Sequence, residues 1–277
     1  MTNQPLTGRT LLMSGGSRGI GLAIAVRAAA LGANISFIAK TDHPDPRIPG
    51  TVHTAKEEIE RVGGRALAVV GDIRDDSAVD HAVEHTIKEF GGIDFVVNNA
   101  SAIALQGFGD LDPKRYDLML DINARGTFSL MTAALPALTD SDDARVVTLS
   151  PPINLDPRWL AEHAPYTVSK YAMTLLTLGL AEQFRDRGIV ANCLWPETLI
   201  ATAAVQNVVA GDQGIRGSRR PEIMADAAAI LLTRPHNGVT GECLIDADVL
   251  RGAGVTDLSG YTHDGADDGE LIKDLFL

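Results

Sequence analysis

A single-domain α/β fold, with seven parallel strands in a doubly wound sheet and helices on both faces, is predicted by three observations. Short apolar or β-branched runs recur along the chain: TLLMS (10–14), NISFIA (34–39), ALAVVGDI (66–73), DFVVNN (94–99), ARVVTLS (144–150), IVANCLW (189–195) and ECLID (242–246). Between them lie stretches with a helical period: Ile20, Ala23, Ile24, Ala28 and Leu31 form one apolar stripe, and Val79, Ala82, Val83 and Ile87 another. Strands alternating with helices need crossover connections, which make the sheet parallel and cover both of its faces. The third observation is size and composition: 277 residues, 45% hydrophobic and 22% charged, suffice for one large core. No repeat or linker divides the chain, so one domain is expected over 1–250, with an extension over 251–277 packed on it or on a neighbouring subunit.

Three stretches depart from the alternation. TDHPDPRIPG (41–50) carries three prolines and reads as a stiff loop after the second strand. GDQGIRGSRRPE (211–222) reads as a mobile loop before a helix, either a lid or a plain surface loop, and THDGADD (262–268) as a solvated acidic turn. The formal charge of −12 argues against nucleic acid or an anionic membrane as a partner. Cys193 and Cys243 have neither metal-ligand nor disulfide-framework spacing, so buried thiols are expected and no metal. The first apolar run is cut by glycines and the next by Arg18, Arg27 and Asn34, so neither a secretory signal nor a membrane span is expected, and a cytoplasmic setting fits.

The first strand runs into SGGSRGIG (14–21) and then a helix. Gly15, Gly19 and Gly21 let the backbone approach a pyrophosphate, and the helix start offers unpaired N–H groups to it, so a dinucleotide cofactor is expected. The second strand ends FIAKT. An acid there would bind a ribose 2′-hydroxyl; Lys40 stands in its place and Arg18 lies in the turn, which favours NADP(H) over NAD(H). The competing reading is a solvated Lys40 and an Arg18 paired with a carboxylate.

Tyr166 and Lys170, four apart, fall on one helix face. With SGGSRGIG, GDI (71–73), NNAS (98–101), Asn123 in DINARGTF and YTVSK (166–170), the chain resembles the short-chain dehydrogenase/reductase family over most of its length, to about residue 250. The resemblance implies a Rossmann fold, a homodimer or homotetramer, and a nicotinamide cofactor. It places Gly15, Ser17, Arg18, Gly19, Ile20 and Gly21 at the phosphates and Asp72 and Ile73 at the adenine. Asn99, Ala100 and Ser101 would line the cofactor, Pro196 and Leu199 would flank the nicotinamide, and Lys170 would hold ribose hydroxyls beside Tyr166. Two departures are visible: Ser101 where the family has glycine, narrowing backbone freedom beside the cofactor, and Glu197 where a glycine follows the proline, which weighs against Thr202 as a carboxamide contact.

A phenol titrates near about 10, and an adjacent ammonium would lower that value, so Tyr166 can serve as acid in carbonyl reduction and base in alcohol oxidation. The resemblance implies that Asn123 tethers a water in a relay to Lys170. The family's serine has no obvious counterpart. Counting thirteen residues back from Tyr166 gives Ile153, whereas aligning the strand end LS gives Pro151. Ser150 is the favoured substitute, Asn154 the second, and a site that uses neither is the third reading. Trp159, Trp195 and Phe108 suggest an apolar substrate. The expected activity is an NADP(H)-dependent interconversion of a carbonyl and a secondary alcohol; the alternative is an NADP(H)-binding regulatory or scaffold protein with little turnover. The amphipathic tail ELIKDLFL suggests packing on a neighbouring subunit.

Overall fold

The computed structural model describes residues 4–45, 49–235, 239–263 and 270–277. Its seven strands are β1 (Thr10–Ser14), β2 (Asn34–Ala39), β3 (Arg65–Val70), β4 (Phe95–Asn98), β5 (Arg145–Thr148), β6 (Val190–Trp195) and β7 (Cys243–Ile245). They form one parallel sheet in the order β3-β2-β1-β4-β5-β6-β7. All seven coincide with predicted runs, and the ends retract by up to three residues where loops take over, as after Val70.

Helices α1 (Gly19–Ala30), α2 (Val52–Arg61) and α3 (Asp76–Phe90) follow the first three strands. The β4–β5 crossover holds α4 (Pro113–Met119), a π-helical turn over Leu120–Arg125, and α5 (Gly126–Asp140). The remaining α-helices among the described residues are α6 (Pro157–Gln183), α7 (Gly211–Arg216), α8 (Glu222–Thr233) and α9 (Asp246–Gly252). Two cores result. Ile24, Phe37, Met224 and Leu231 belong to the one built on α1 and α8, while Leu12, Val83, Leu130 and Val146 belong to the one under α3 and α5. Every residue of β1, β4, β5 and β6 is buried, because helices cover both faces.

Strand order reverses between β1 and β4, their neighbours leading away on opposite sides. The crossover loops diverge there, which leaves a crevice beyond the carboxyl ends of the strands.

Two local features stand out. The loop after β5 is short, because Asp156 accepts from the Arg158 N–H and Pro157 opens the helix, so α6 begins nine residues before Tyr166. Its axis breaks at His163 (φ −135°, ψ 24°), just before Pro165, whose ring cannot continue the hydrogen-bond ladder. The stretch 211–222 is not an open loop either. Residues 211–216 are helical, and Arg219 pairs by single bridges with Ile200 and Thr262. Residues 46–48 of the Pro-rich loop and 264–268 of the acidic turn lie outside the described residues.

Arg219 is 4% exposed and its guanidinium reaches Glu197 at 2.6 Å, with Arg251 on the other Glu197 oxygen at 3.2 Å. Burial alone would raise the Glu197 carboxyl, but the two guanidinium groups outweigh it and hold it below the usual glutamate range. Glu197 is thus the clamp between the segment after β6 and residues 217–219. Glu197→Ala is expected to lower stability by about 2 kcal/mol, because Arg219 stays buried and loses its carboxylate. Thermal melts at pH 7 check it, and an unchanged midpoint would remove the clamp.

Candidate active site

The crevice opens into a cavity of about 1020 Å³. At one end lies the glycine turn. Gly15 has φ +73°, and a Cβ there would stand 2.8 Å from Asn99 Nδ2 and 3.0 Å from the Ala100 backbone, so only glycine suits this turn. The turn is tied to the end of β4: the Asn99 amide donates to the carbonyls of Ser14 (3.3 Å) and Gly15 (2.8 Å), and Ser14 Oγ accepts from the Asn99 and Ala100 N–H groups. The N-cap of α1, Arg18, makes no side-chain cap, which leaves the first-turn N–H groups of a twelve-residue helix to an anion. That donor set suits a pyrophosphate.

Gly15, Ser17, Arg18, Gly19 and Ile20 line the cavity, with Lys40, Asp72, Ile73, Asn99, Ala100, Ser101, Tyr166, Lys170, Pro196 and Leu199. Gly21 does not; it sits one turn into α1, where a Cβ would crowd Asn99. Lys40 is exposed at the rim, one residue beyond β2. Arg18 donates to the Gly50 carbonyl at 2.9 Å, and the charge of Asp45 also acts on it, so the pairing alternative for Arg18 has a carboxylate at hand. Asp72 is held below the usual carboxylate range by a two-pronged pairing with Arg74.

At the other end of the cavity Tyr166 and Lys170 are buried, 3% and 2% exposed. Burial pushes the Tyr166 phenol far above its usual value, with the charge of Asp274 adding to the rise and the nearby Ser101 hydroxyl opposing it. The Lys170 amine is lowered to about 7, again by burial, with Asp274 opposing. The ammonium therefore does not win over desolvation at the phenol, contrary to the expected lowering. Lys170 donates to the Leu149 carbonyl at 2.5 Å and lies 5.1 Å from the centre of the Trp195 ring.

Asn123 is fully buried in the π-helical turn, and its amide is committed. Oδ1 accepts from Ala102 N–H (2.7 Å), and Nδ2 donates to the Ala102 carbonyl and to Ser169 Oγ, both at 3.0 Å. Its side chain faces neither the cavity nor Lys170. Ser150 does not reach the cavity either: its buried hydroxyl makes no direct hydrogen bond and lies beside the Cys193 thiol. Asn154 binds the Tyr171 hydroxyl with its backbone and the Phe276 carbonyl with its amide, at 2.8 Å. The Pro151 carbonyl accepts from Thr174. The serine that lines the cavity with Tyr166 is Ser101, read in the sequence only as a restriction on the backbone.

Of the three expected aromatics, Trp195 alone lines the cavity; Phe108 is 89% exposed and Trp159 packs on Phe276. The rest of the wall includes Ile103, Leu118, Ile122, Leu149 and Leu275. The tail returns to its own chain. Lys273 pairs with Thr198, Asp274 N–H donates to the Glu197 carbonyl, Trp195 Nε1 donates to the Leu275 carbonyl at 2.9 Å, and Arg158 to that of Leu277. Phe276 (φ 75°) is the one non-glycine residue at positive φ among the described residues. The aromatic rings of Trp159, Tyr166, Tyr171 and Trp195 surround it, which offsets a backbone cost of about 1–2 kcal/mol.

The sequence pattern of the family described as short chain dehydrogenase matches residues 9–213. Human hydroxysteroid dehydrogenase-like protein 2 is 46% identical over 92% of this chain, which spans 60% of that relative's length. Among solved structures, a short chain dehydrogenase from Mycobacterium thermoresistibile is 51% identical with a TM-score of 0.91, covering 98% of this chain and 95% of its own. A chain from Xanthomonas campestris is 48% identical with a TM-score of 0.94, covering 98% of each.

Proposed function

This chain belongs to the short-chain dehydrogenase family, and from that premise we propose that it is an NADP(H)-dependent oxidoreductase reducing the carbonyl of an apolar, lipid- or steroid-like substrate to a secondary alcohol, with Tyr166 as general acid. The observation that carries the reading is a buried phenol and amine, Tyr166 and Lys170, at one end of a cavity whose other end is the glycine turn. The α1 N-terminus and Gly15 would hold the pyrophosphate, Lys40 and Arg18 a 2′-phosphate, and Pro196 and Leu199 the nicotinamide. When bound, the cofactor supplies the hydride that the chain's own side chains cannot. Tyr166, kept protonated by burial, gives its proton to the carbonyl oxygen as negative charge grows there, and the Ser101 hydroxyl beside it supplies a second donor. A protonated phenol favours reduction over oxidation near neutral pH.

NADPH consumption with a dicarbonyl, a ketosteroid and a 3-ketoacyl thioester tests the reading. Turnover on at least one of them supports it; tight NADPH binding without turnover favours a binding module. The displacement of Ser150 and Asn154 from the cavity is what keeps that second reading in view.

The homo-oligomer reading now rests on a different surface, because the tail is committed within its own subunit. Phe128 on α5 and Val168 and Leu175 on α6 are more than half exposed, the last two spaced seven apart on one helix face. A dimer or tetramer mass by light scattering at micromolar concentration is the expected result. A monomer would remove this proposal.

A further inference from the structure

A carbonyl substrate has to reach the Tyr166 phenol, which is 3% exposed. A nicotinamide cofactor reaching from the glycine turn to Tyr166 would fill the length of the cavity, so the body of an apolar substrate needs room beside it. Beside Tyr166 that room is taken by the chain's own tail. Phe276 is 1% exposed, its ring centre 5.3 Å from that of Tyr171, 5.7 Å from Trp159, 6.0 Å from Trp195 and 6.2 Å from Tyr166. Tyr166 and Trp195 also line the cavity, so cavity and ring cluster share a wall.

The cage has ties of its own. Tyr171 donates its hydroxyl to the Asn154 carbonyl and accepts from the Asn154 N–H at 2.9 Å, which fixes the loop after β5 against α6. His163, at the break in α6, bonds the Leu105 carbonyl at 2.9 Å. The last three carbonyls of the tail are each held by a side chain: Leu275 by Trp195 Nε1, Phe276 by Asn154 Nδ2 and Leu277 by Arg158. Phe276 takes its place only at φ 75°, a conformation that residues with a Cβ rarely adopt. One polar group of the cage is left unmet, because Trp159 Nε1 is buried and has no hydrogen-bond partner among the described residues. A phenyl ring has no oxygen to offer it.

We propose that the cage of Trp159, Tyr166, Tyr171 and Trp195 is the recognition site for the substrate's apolar body, and that Phe276 is its built-in occupant, displaced when a fused ring system or long chain with a second oxygen acceptor binds. This deepens the reductase reading and rests on it for the class of ligand. Such a ligand regains the ring contacts without the strained backbone, and its acceptor meets Trp159. An apolar site with one or two placed polar groups is the usual make-up of a small-molecule pocket. The approach is apolar as well: Leu155 and Leu160, on either side of Trp159 in the chain, and Phe108, three residues beyond Leu105, are all exposed.

The test uses the whole protein holding NADP+, so that no ketone turns over, and two ketosteroids as probes, one with carbonyls at both ends and one with a single carbonyl. Hydrogen exchange of the wild type reads the tail: with the diketone bound, the Leu275, Phe276 and Leu277 amides should exchange about tenfold faster while those of β5 do not change. Both tryptophans of the chain stand in the cage, so their fluorescence gives the dissociation constants. An occupant that has to leave weakens a ligand by the fraction of time the site is open, so Phe276→Ala should bind the diketone about tenfold more tightly. Its KM for the diketone with NADPH should fall to match, and that for a small dicarbonyl should stay within about twofold. Trp159→Phe keeps a ring and removes the donor, so it should weaken the diketone about tenfold and the single-carbonyl steroid by less than about twofold.

Should Phe276→Ala not fold, exchange in the wild type decides alone. Tail amides that keep or gain protection with the diketone bound overturn the proposal and leave the reductase reading standing. A Phe276→Ala protein that binds the diketone more weakly than wild type also overturns it, since Phe276 would then be wall and not occupant. Equal losses of both steroids in Trp159→Phe overturn the acceptor's place, and a diketone that binds neither wild type nor Phe276→Ala overturns the whole. A diketone that opens the tail and is not reduced when NADPH replaces NADP+ supports the site and counts against the reductase reading.

Discussion

Tyr166→Phe is expected to lower kcat for carbonyl reduction about 1000-fold, with NADPH affinity and the melting temperature close to wild type. The size follows from the role: removing a general acid from a buried site costs about 10²–10⁴ in rate. The phenylalanine ring keeps the volume and the packing on Phe276, so the fold has no reason to respond. The hydroxyl is what disappears, and with it the proton. Because burial raises the phenol far above its usual value, Tyr166 itself should not set the pH profile in the working range. The groups that titrate there are Lys170 and Asp274, both at about 7, and both lose protons as pH rises, so wild-type reduction should slow through that region. Steady-state NADPH oxidation from pH 5.5 to 9 for both forms checks the two expectations together. A substituted enzyme with more than a tenth of the wild-type kcat would remove Tyr166 from the acid role and return the question to Ser101 and Lys170.

The sheet was legible because a strand buried on both faces has to be apolar throughout, and runs such as TLLMS and NISFIA announce that directly. The glycine turn was legible for a similar reason: a backbone at φ +73° beside Asn99 accepts little but glycine. That Tyr166 and Lys170 share one helix face follows from helical spacing alone. What was illegible depends on contacts between segments far apart in the chain. Nothing in ELIKDLFL says that the segment returns to its own subunit, since the same alternation serves a neighbour's surface equally well. Misreading 211–222 as a loop came from weighting its glycines and arginines as solvated; Arg219 is instead drawn inward by Glu197, a residue flagged only as a departure from glycine. The loss of Ser150 from the site has a local cause, because the chain leaves the sheet at Thr148 and the following prolines carry the hydroxyl to the Cys193 side.

Exchanging Lys40 for aspartate is the change with the largest expected effect on cofactor choice. Lys40 is exposed at the rim of the cavity just past the end of β2, so substitution leaves the core untouched. The protein carries a formal charge of −12, and its mean field repels a cofactor bearing an extra phosphate; the local cations have to offset that repulsion. A charge-assisted bond from Lys40 to a 2′-phosphate contributes about 1.5–3 kcal/mol, and a carboxylate in its place adds repulsion while accepting from a ribose 2′-hydroxyl. Lys40→Asp should therefore lower kcat/KM for NADPH about 100-fold and raise it for NADH several-fold, a swing of roughly 4 kcal/mol at about 1.4 kcal/mol per decade. Arg18 is already bonded to Gly50 and acted on by Asp45, so Arg18→Ala should cost NADPH less than the Lys40 exchange does. Ionic strength separates this electrostatic account from a steric one: the wild-type KM for NADPH should rise with salt, and that of Lys40→Asp should be flat or fall, as screening weakens first an attraction and then a repulsion. A wild type that prefers NADH, or a variant whose preference matches it, would mean that Lys40 is a solvated surface lysine and that the end of β2 does not read the phosphate.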